Sequence, residues 1–413
     1  MDFLRWKTWA PGETLVSSES SSGPLDDIRV VELGQLIAGP FCGQLMGDLG
    51  AEVIKVEPPG VGDPMRGWGQ GLPVWWSVIA RNKKSITLNL REKDGQALLK
   101  QLVTHMDVLI ENFRPGTMER WGLDYPTLAA INPRLVMVRV SGFGQTGPYA
   151  QRAGYGSIGE AMGGIRYLTG DPDRPPSRVG LSIGDSLAAT FACVGALAAL
   201  HSREKTGRGQ VVDSAIYEAV LAMMESTIPE FTEGGIIRER SGAILPKIAP
   251  SNVYPTSDGE MIVMGANQDS VFARLCQAMG HESLAADERF RDHRMRGENQ
   301  AELDALIGQW SSGFSADELL EILEQHSVPA GRIYRAPEML RDPQYIAREA
   351  IVSVAHKTFK NLKMQNVVPR LSETPGSIRW AGPELGEHNE EIFQRQLGMD
   401  DAELLDLRER GII

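Results

Sequence analysis

From Ile28 the chain alternates short apolar strands with helices rich in small residues: IRVVELG, PFCGQLMGDLG, AEVIKVEPP, then KSITLNL, DGQALLKQLVTHM, DVLIENF, TLAAINP and LVMVRVSG. Strands that recur with a helix between them are joined by crossovers, and a crossover makes neighbouring strands parallel. The helices open on an acid, threonine or proline and end near glycine or proline, as capping requires. Up to about residue 220 the pattern predicts one open α/β domain.

After GQVVDSAIYEAVLAMM the character changes. FTEGGIIRERSGAILPKIAPSN, rich in glycine and proline, reads as a linker. VYPTSDGEMIVMGA predicts a hairpin around Asp258 and Gly259. Helical periodicity in VFARLCQAMG, AELDALIGQW and ADELLEILEQH marks a smaller domain over residues 226–330. The tail from 331 adds a strand-like SVAHKTF and two helices, EEIFQRQLG and DDAELLDLRERG.

Composition narrows the function classes. The 413 residues carry a formal net charge of −12, which disfavours nucleic acid and anionic membrane surfaces as partners. Cys42, Cys193 and Cys276 are too widely spaced for a disulfide framework or a metal cluster. No apolar run reaches the roughly 18 residues a membrane span needs; Leu187–Leu200 reads as a buried helix. The amino terminus lacks a signal-type apolar core, so residues 1–24 are expected to be a disordered, serine-rich leader on a cytoplasmic protein.

Two short patterns suggest chemistry. Gly142, Gly144 and Gly147 spell G-x-G-x-x-G after a strand, the mark of a dinucleotide-binding turn in a nicotinamide-dependent oxidoreductase. Asp171, however, lies in the loop GDPDRPP rather than at a strand end where it could hold a ribose, so a close-approach turn is the better reading. Gly180, Ser182 and Gly184 match the nucleophile elbow of serine hydrolases. The helix is expected to begin after Asp185, not after Ser182, which favours a structural serine. The seven histidines never fall at metal-ligand spacing, and no metal site is expected.

Basic residues cluster in RNKKSITLNLREK and in ENFRPGTMER. They could hold a phosphate-bearing ligand or form a solvated face, and spacing alone does not choose. Asp185, at the head of LAATFACVGALAAL, has the position of an N-cap; the same surroundings would keep a carboxylate ionised, as a nucleophile needs.

The segments VVELGQLIAGPFCGQLMGDLGAEVIKVEPPGVGDPMRGW, NKKSITLNL, ENFRPG, GFGQTGPYAQRAG, IGDSLAAT and REKTGRGQVVDSAIYEAV resemble the class III CoA-transferase family, also called CaiB/BaiF or formyl-CoA transferase-like. The resemblance runs from about residue 25 to the end. It implies a Rossmann-like large domain of residues 25–225 with 331–413, a small α+β domain, and two chains interlocked as a homodimer. It places the nucleophilic aspartate at Asp185. Coenzyme A contacts fall on Gln35, Ile37, Ala38, Leu88, Arg91, Asn112, Phe113 and Arg120. Acyl-CoA and small carboxylates are the implied substrates, and no cofactor is needed.

The family also contains α-methylacyl-CoA racemases. Their catalytic histidine falls at Tyr155, and a phenol with an ordinary pKa of about 10 is a poor base near neutrality, so acyl transfer is favoured. Pro58 replaces an arginine that some members place after IKVE, weakening one CoA contact the resemblance implies. SGAILPKIAPSN lacks the glycine run of the formyl/oxalate branch and is closer to members that use succinyl-CoA and other dicarboxylates. Arg178 and Lys247 are candidates to meet a distal carboxylate. A non-catalytic acyl-CoA-binding protein is the remaining alternative.

Overall fold

The computed structural model describes residues 23–69 and 71–413, so the expected leader lies almost wholly outside the described residues. The chain divides into two units. The first runs to Ile165 and adds Gly180–Ile228 and Pro343–Ile413; the second takes Arg166–Val179 and Pro229–Asp342.

The first unit is built on strands β1 (Arg29–Glu32), β2 (Glu52–Glu57), β3 (Lys83–Thr87), β4 (Val108–Glu111), β5 (Val136–Ser141) and β6 (Val211–Ala215). They form one sheet in the order β3-β2-β1-β4-β5-β6, every pair parallel. This is the Rossmann order, with its switch point between β1 and β4.

Each central strand is a near-continuous apolar run because both of its faces are covered. Successive residues point to opposite faces. Val31, Ile54, Leu109 and Met137 join one core with Leu98, Leu99 and Leu102 of α2 (Lys93–Val103). Val30, Val53, Val108 and Val136 join the other, against Cys42 and Met46 of α1 (Ala38–Asp48).

The first core is completed from the far end of the chain. Leu404 and Leu407 of the helix Asp401–Glu409, together with Ile412 and Ile413, pack into it, and Asn89 N donates to Ile412 O at 2.7 Å. That helix opens on a capping box between Asp400 and Glu403.

Three further helices of this unit matter for the site: α3 (Gly156–Met162), α4 (Ile183–Thr206) and α5 (Ile216–Leu221). The run expected to be a buried helix over Leu187–Leu200 is the middle of α4, which is 24 residues long. Ala188, Ala189, Ala192, Ala196 and Ala199 bury one stripe, and small side chains let the helix lie close to the sheet. The expectation that no segment has the length and apolarity to cross a membrane is therefore corrected: by length and composition α4 does. Helix termini such as Ile183 and Thr206 extend it beyond the uncharged run, and its buried stripe is part of the core.

The second unit carries the predicted hairpin, β7 (Ser251–Pro255) and β8 (Met261–Gly265), turning at Gly259, with β9 (Ala330–Arg332) added antiparallel to β8. Its helices Asp269–Ala278, Gln300–Ser311 and Ala316–Gln325 bury Phe272, Leu275, Leu303, Ile307, Leu319 and Leu323 in a separate core. Arg178 and Lys247 both belong to this unit.

Candidate active site

The switch point opens a cleft of about 630 Å³ beyond the carboxyl ends of β1 to β4. Open α/β sheets bind ligands at this place because the loops there diverge to opposite faces. Of the residues the family resemblance assigns to coenzyme A, Gln35, Leu88, Arg91 and Phe113 line it. Asn112 lies behind them: its Oδ1 accepts from Gln35 N at 2.7 Å and its Nδ2 donates to Gln35 O at 2.8 Å, so Gln35 is held across the switch point. Arg91 is the cation among the lining side chains and is exposed.

The other three assigned residues are not in the lining. Ile37 and Ala38 are buried at the start of α1, where they pack rather than face the cleft. Arg120 is exposed at the end of a single helical turn and donates to Thr117 Oγ1 at 3.0 Å; Thr117 itself is in the lining.

Several lining residues were not singled out from sequence. Trp121 packs edge-on to Phe113 with ring centroids 5.3 Å apart, and Pro59, Val61 and Gly62 form one wall beside Pro58, the wall residue that sequence had already marked. The IKVEPPGVGDP segment carried the signal for that wall. Gly411 carried none, because it reaches the cleft only through the folding back of the chain's last helix.

Glu57, at the end of β2, is kept ionically satisfied rather than presented to a ligand. It meets Arg66 through Nε at 2.7 Å and Nη2 at 2.8 Å, and accepts from Ser85 Oγ at 2.6 Å and Asp63 N at 2.9 Å. A second buried acid, Glu111, closes β4: burial pushes its carboxyl up, against the opposing pull of Arg139, whose Nε lies 2.6 Å away.

Asp185 is not the N-cap that spacing suggested. Helix α4 begins at Ile183, Ser182 occupies the cap position without a side-chain cap bond, and Asp185 is the third helical residue, half-buried in the first turn. There the helix dipole favours a carboxylate. The amide of Gly184 is met instead from α3, where Glu160 Oε1 accepts at 3.4 Å; Glu160 is only 1% exposed. The sequence offered little to find Glu160, an isolated acid among glycines and alanines.

The approach of α3 to Asp185 is close enough to require glycine. A Cβ on Gly156 would lie 2.2 Å from Asp185 Oδ2, and one on Gly184 would lie 3.1 Å from the Gly156 carbonyl oxygen. Tyr155, at the racemase histidine's position, caps α3 and is 68% exposed.

The helix start directly after Ser182 meets one demand of a nucleophile elbow, contrary to expectation. The other demand fails: no strand leads into Ser182 from residues 171–181. The 142–147 glycines behave as a close-approach turn. Gly144 and Gly147 have φ of +84° and +85°, a Cβ on Gly142 would lie 2.8 Å from Gly154 Cα, and Gln145 N donates to Asp213 Oδ2 at 2.9 Å. The next helix begins only at Gly156, so no helix N-terminus follows for a pyrophosphate. Among the described residues no three His, Cys, Asp or Glu side chains group as metal ligands.

A Rossmann sheet with a switch-point cleft, and a half-buried aspartate on the first turn of a helix held against a glycine, mark an α/β protein with room for a ligand beyond the carboxyl ends of its strands. The comparisons sharpen this class. The model of CoA-transferase family III matches residues 25–389, and the chain belongs to that family; it is a CoA-transferase. It is 60% identical over 402 residues to the succinyl-CoA–D-citramalate CoA-transferase of Chloroflexus aurantiacus, covering 96% of this chain and 100% of that protein. The beta subunit of the succinyl-CoA–L-malate CoA-transferase of the same organism is 41% identical, covering 94% and 98%. A crystal structure of a CaiB/BaiF family protein from Brucella suis superposes with a TM-score of 0.81 at 36% identity, covering 91% of this chain and 99% of that one.

Proposed function

We propose that this transferase moves coenzyme A from succinyl-CoA to a hydroxylated dicarboxylate of the citramalate and malate type, with Asp185 as covalent nucleophile. The observation that carries the reading is the setting of Asp185: a half-buried carboxylate in the first turn of a long helix, with a glycine in place of any side chain that would crowd Oδ2. Succinate, malate and citramalate share one four-carbon dicarboxylate backbone. A single acyl pocket could therefore serve donor and acceptor in turn, as alternating transfer demands.

The chemistry balances without a redox partner. An oxygen of Asp185 attacks the succinyl thioester carbonyl; the C–S bond breaks, leaving an aspartyl–succinyl anhydride and CoA thiolate. The thiolate attacks the aspartyl carbonyl, succinate leaves, and an aspartyl–CoA thioester remains. The acceptor carboxylate attacks that thioester, giving a new anhydride and thiolate again. Thiolate attack on the acceptor carbonyl then releases the new acyl-CoA and restores the Asp185 carboxylate. Each intermediate is hydrolysable, so water must be kept from the aspartyl carbon.

In this reading Gln35, Leu88, Arg91, Asn112, Phe113 and Arg120 serve the coenzyme A moiety, Arg91 and Arg120 as donors to phosphate. Ile37 and Ala38 serve it through the shape of the loop before α1. The acyl-CoA and the carboxylate are substrates, and no resident cofactor is invoked. We place the enzyme in the cytoplasm as an interlocked homodimer without nucleic-acid or membrane partners. Supporting the dimer, α4 leaves Phe191 and Val194 exposed and α3 leaves Ile158 and Met162 exposed.

Purified protein incubated with succinyl-CoA and a panel of carboxylic acids is the test. New thioesters of citramalate or malate, seen by mass spectrometry with release of succinate, are the expected result. Transfer to none of the panel would overturn the substrate assignment.

A further inference from the structure

The two walls of the switch-point cleft are separate in sequence: residues 34–37 follow β1, and residues 58–66 follow β2. One buried carboxylate joins them. Asp63 Oδ1 accepts from Leu36 N at 3.1 Å and from Met65 N at 2.9 Å, and Oδ2 lies 2.9 Å from Lys55 Nζ. Lys55 reaches back to the first wall, 3.2 Å from Glu32 Oε1 and donating to the carbonyl of Gly34. Lys83, 2.7 Å from Glu32 Oε2 and 2.6 Å from the Pro40 carbonyl, completes a set of two anions and two cations that is neutral as a whole. All four side chains are buried.

The joint holds a conformation the loop would not keep by itself. Leu36 has φ of +62°, a region that residues with a side chain seldom occupy unless surrounding bonds hold them there. Leu36 follows Gln35, and Asp63 lies between Gly62 and Pro64; Gln35, Gly62 and Pro64 all line the cleft. Asp63 itself does not.

We propose that Asp63, backed by Lys55, is a positioning residue that sets the separation of the two cleft walls and so the affinity for coenzyme A. The proposal rests on the reading of the cleft as the coenzyme A site. Asp63 does not touch the reacting atoms, so its loss is expected to act on binding and not on the chemical step. Asparagine keeps an acceptor for the Leu36 and Met65 amides and drops only the charge opposite Lys55; alanine drops both.

The test is calorimetric titration with coenzyme A, with steady-state kinetics and a thermal melt on the same samples. For Asp63→Ala we expect Kd for coenzyme A and KM for the acyl-CoA to rise together by about tenfold, as loss of an acceptor to a buried amide implies. The kcat at saturation and the KM for the carboxylate should stay within about twofold, and Asp63→Asn should recover most of the affinity. If Asp63→Ala does not fold, Asp63→Asn carries the test, with about a threefold weakening expected. A folded variant that binds coenzyme A as tightly as wild type, or that loses kcat with KM unchanged, overturns the proposal. Wild-type protein that binds no coenzyme A overturns the cleft assignment itself, a result of a different kind.

Discussion

At Gly156 one missing methyl group leaves room for the carboxylate that the proposed chemistry needs. The position is helical and its φ is not in the left-handed region, so alanine is tolerated by the backbone and improves helix propensity. Its Cβ would meet Asp185 Oδ2 at 2.2 Å, and the carboxylate would have to turn away. Gly156→Ala is therefore expected to keep its melting temperature and lose about a hundredfold in kcat, the scale on which ångström misplacement acts. Equal turnover would show that Asp185 does not work in the rotamer seen here. Asp185→Asn should fold, bind coenzyme A and lose about a thousandfold or more in turnover, with no aspartyl thioester trapped by mass spectrometry. The importance of Asp185 came to light in sequence only through the surrounding motif. Spacing named it an N-cap because it heads the apolar run from Leu187, whereas the helix starts at Ile183 and Glu160 of another helix meets the Gly184 amide.

Among the elements, the segment leading into the final helices is tied to β3 through His388. Its Nδ1 accepts from Ser85 N at 3.2 Å and its own amide donates to Ser85 O at 2.9 Å. Burial lowers its pKa below the ordinary histidine value, outweighing Glu387 and Glu391, with Lys84 and Lys357 adding to the depression. The sign follows: the unfolded chain takes up this proton as pH falls through about 6.5, before the folded protein does. Stability should decline below that point and level off once pH is under the folded value. His388→Asn, which keeps an acceptor near Nδ1 but does not titrate, should flatten this part of a urea-midpoint profile between pH 7.5 and 5.5. An unchanged profile would remove His388 from the account. Elements such as β1, β2, β4 and β5 were legible because a parallel strand buried on both faces shows a mostly apolar run, broken in β2 and β5 only by Lys55 and Arg139. The outer face of α4 was not, since Phe191 and Val194 are apolar yet exposed, and periodicity cannot tell a core stripe from a surface awaiting a partner.

For the whole molecule, the proposed interlocked dimer makes those exposed residues its test. Val194, 58% exposed, should tolerate glutamate in an isolated chain; in a dimer that buries it, Val194→Glu is expected to yield single chains or aggregate on sedimentation, while wild type runs at twice the chain mass. Wild type sedimenting as a single chain would sink the dimer. The parallel α/β order was legible across the first 220 residues because it is local in sequence. The cleft was legible only in part, because Gln35 and Asn112, Asp63 and Leu36, and Gly411 and Leu88 are brought together by topology. That topology also has a consequence for how the protein is made. The second unit's long segment, Pro229–Asp342, is inserted within the first, whose core includes Leu404, Leu407, Ile412 and Ile413. On the ribosome the inserted unit emerges entire while the sheet of the first still lacks its last packing layer. The core that α2 forms with β1 to β4 must wait without that layer through more than a hundred further residues of synthesis, on the order of 10 seconds or more at ordinary translation rates, and that open side is what a chaperone would find.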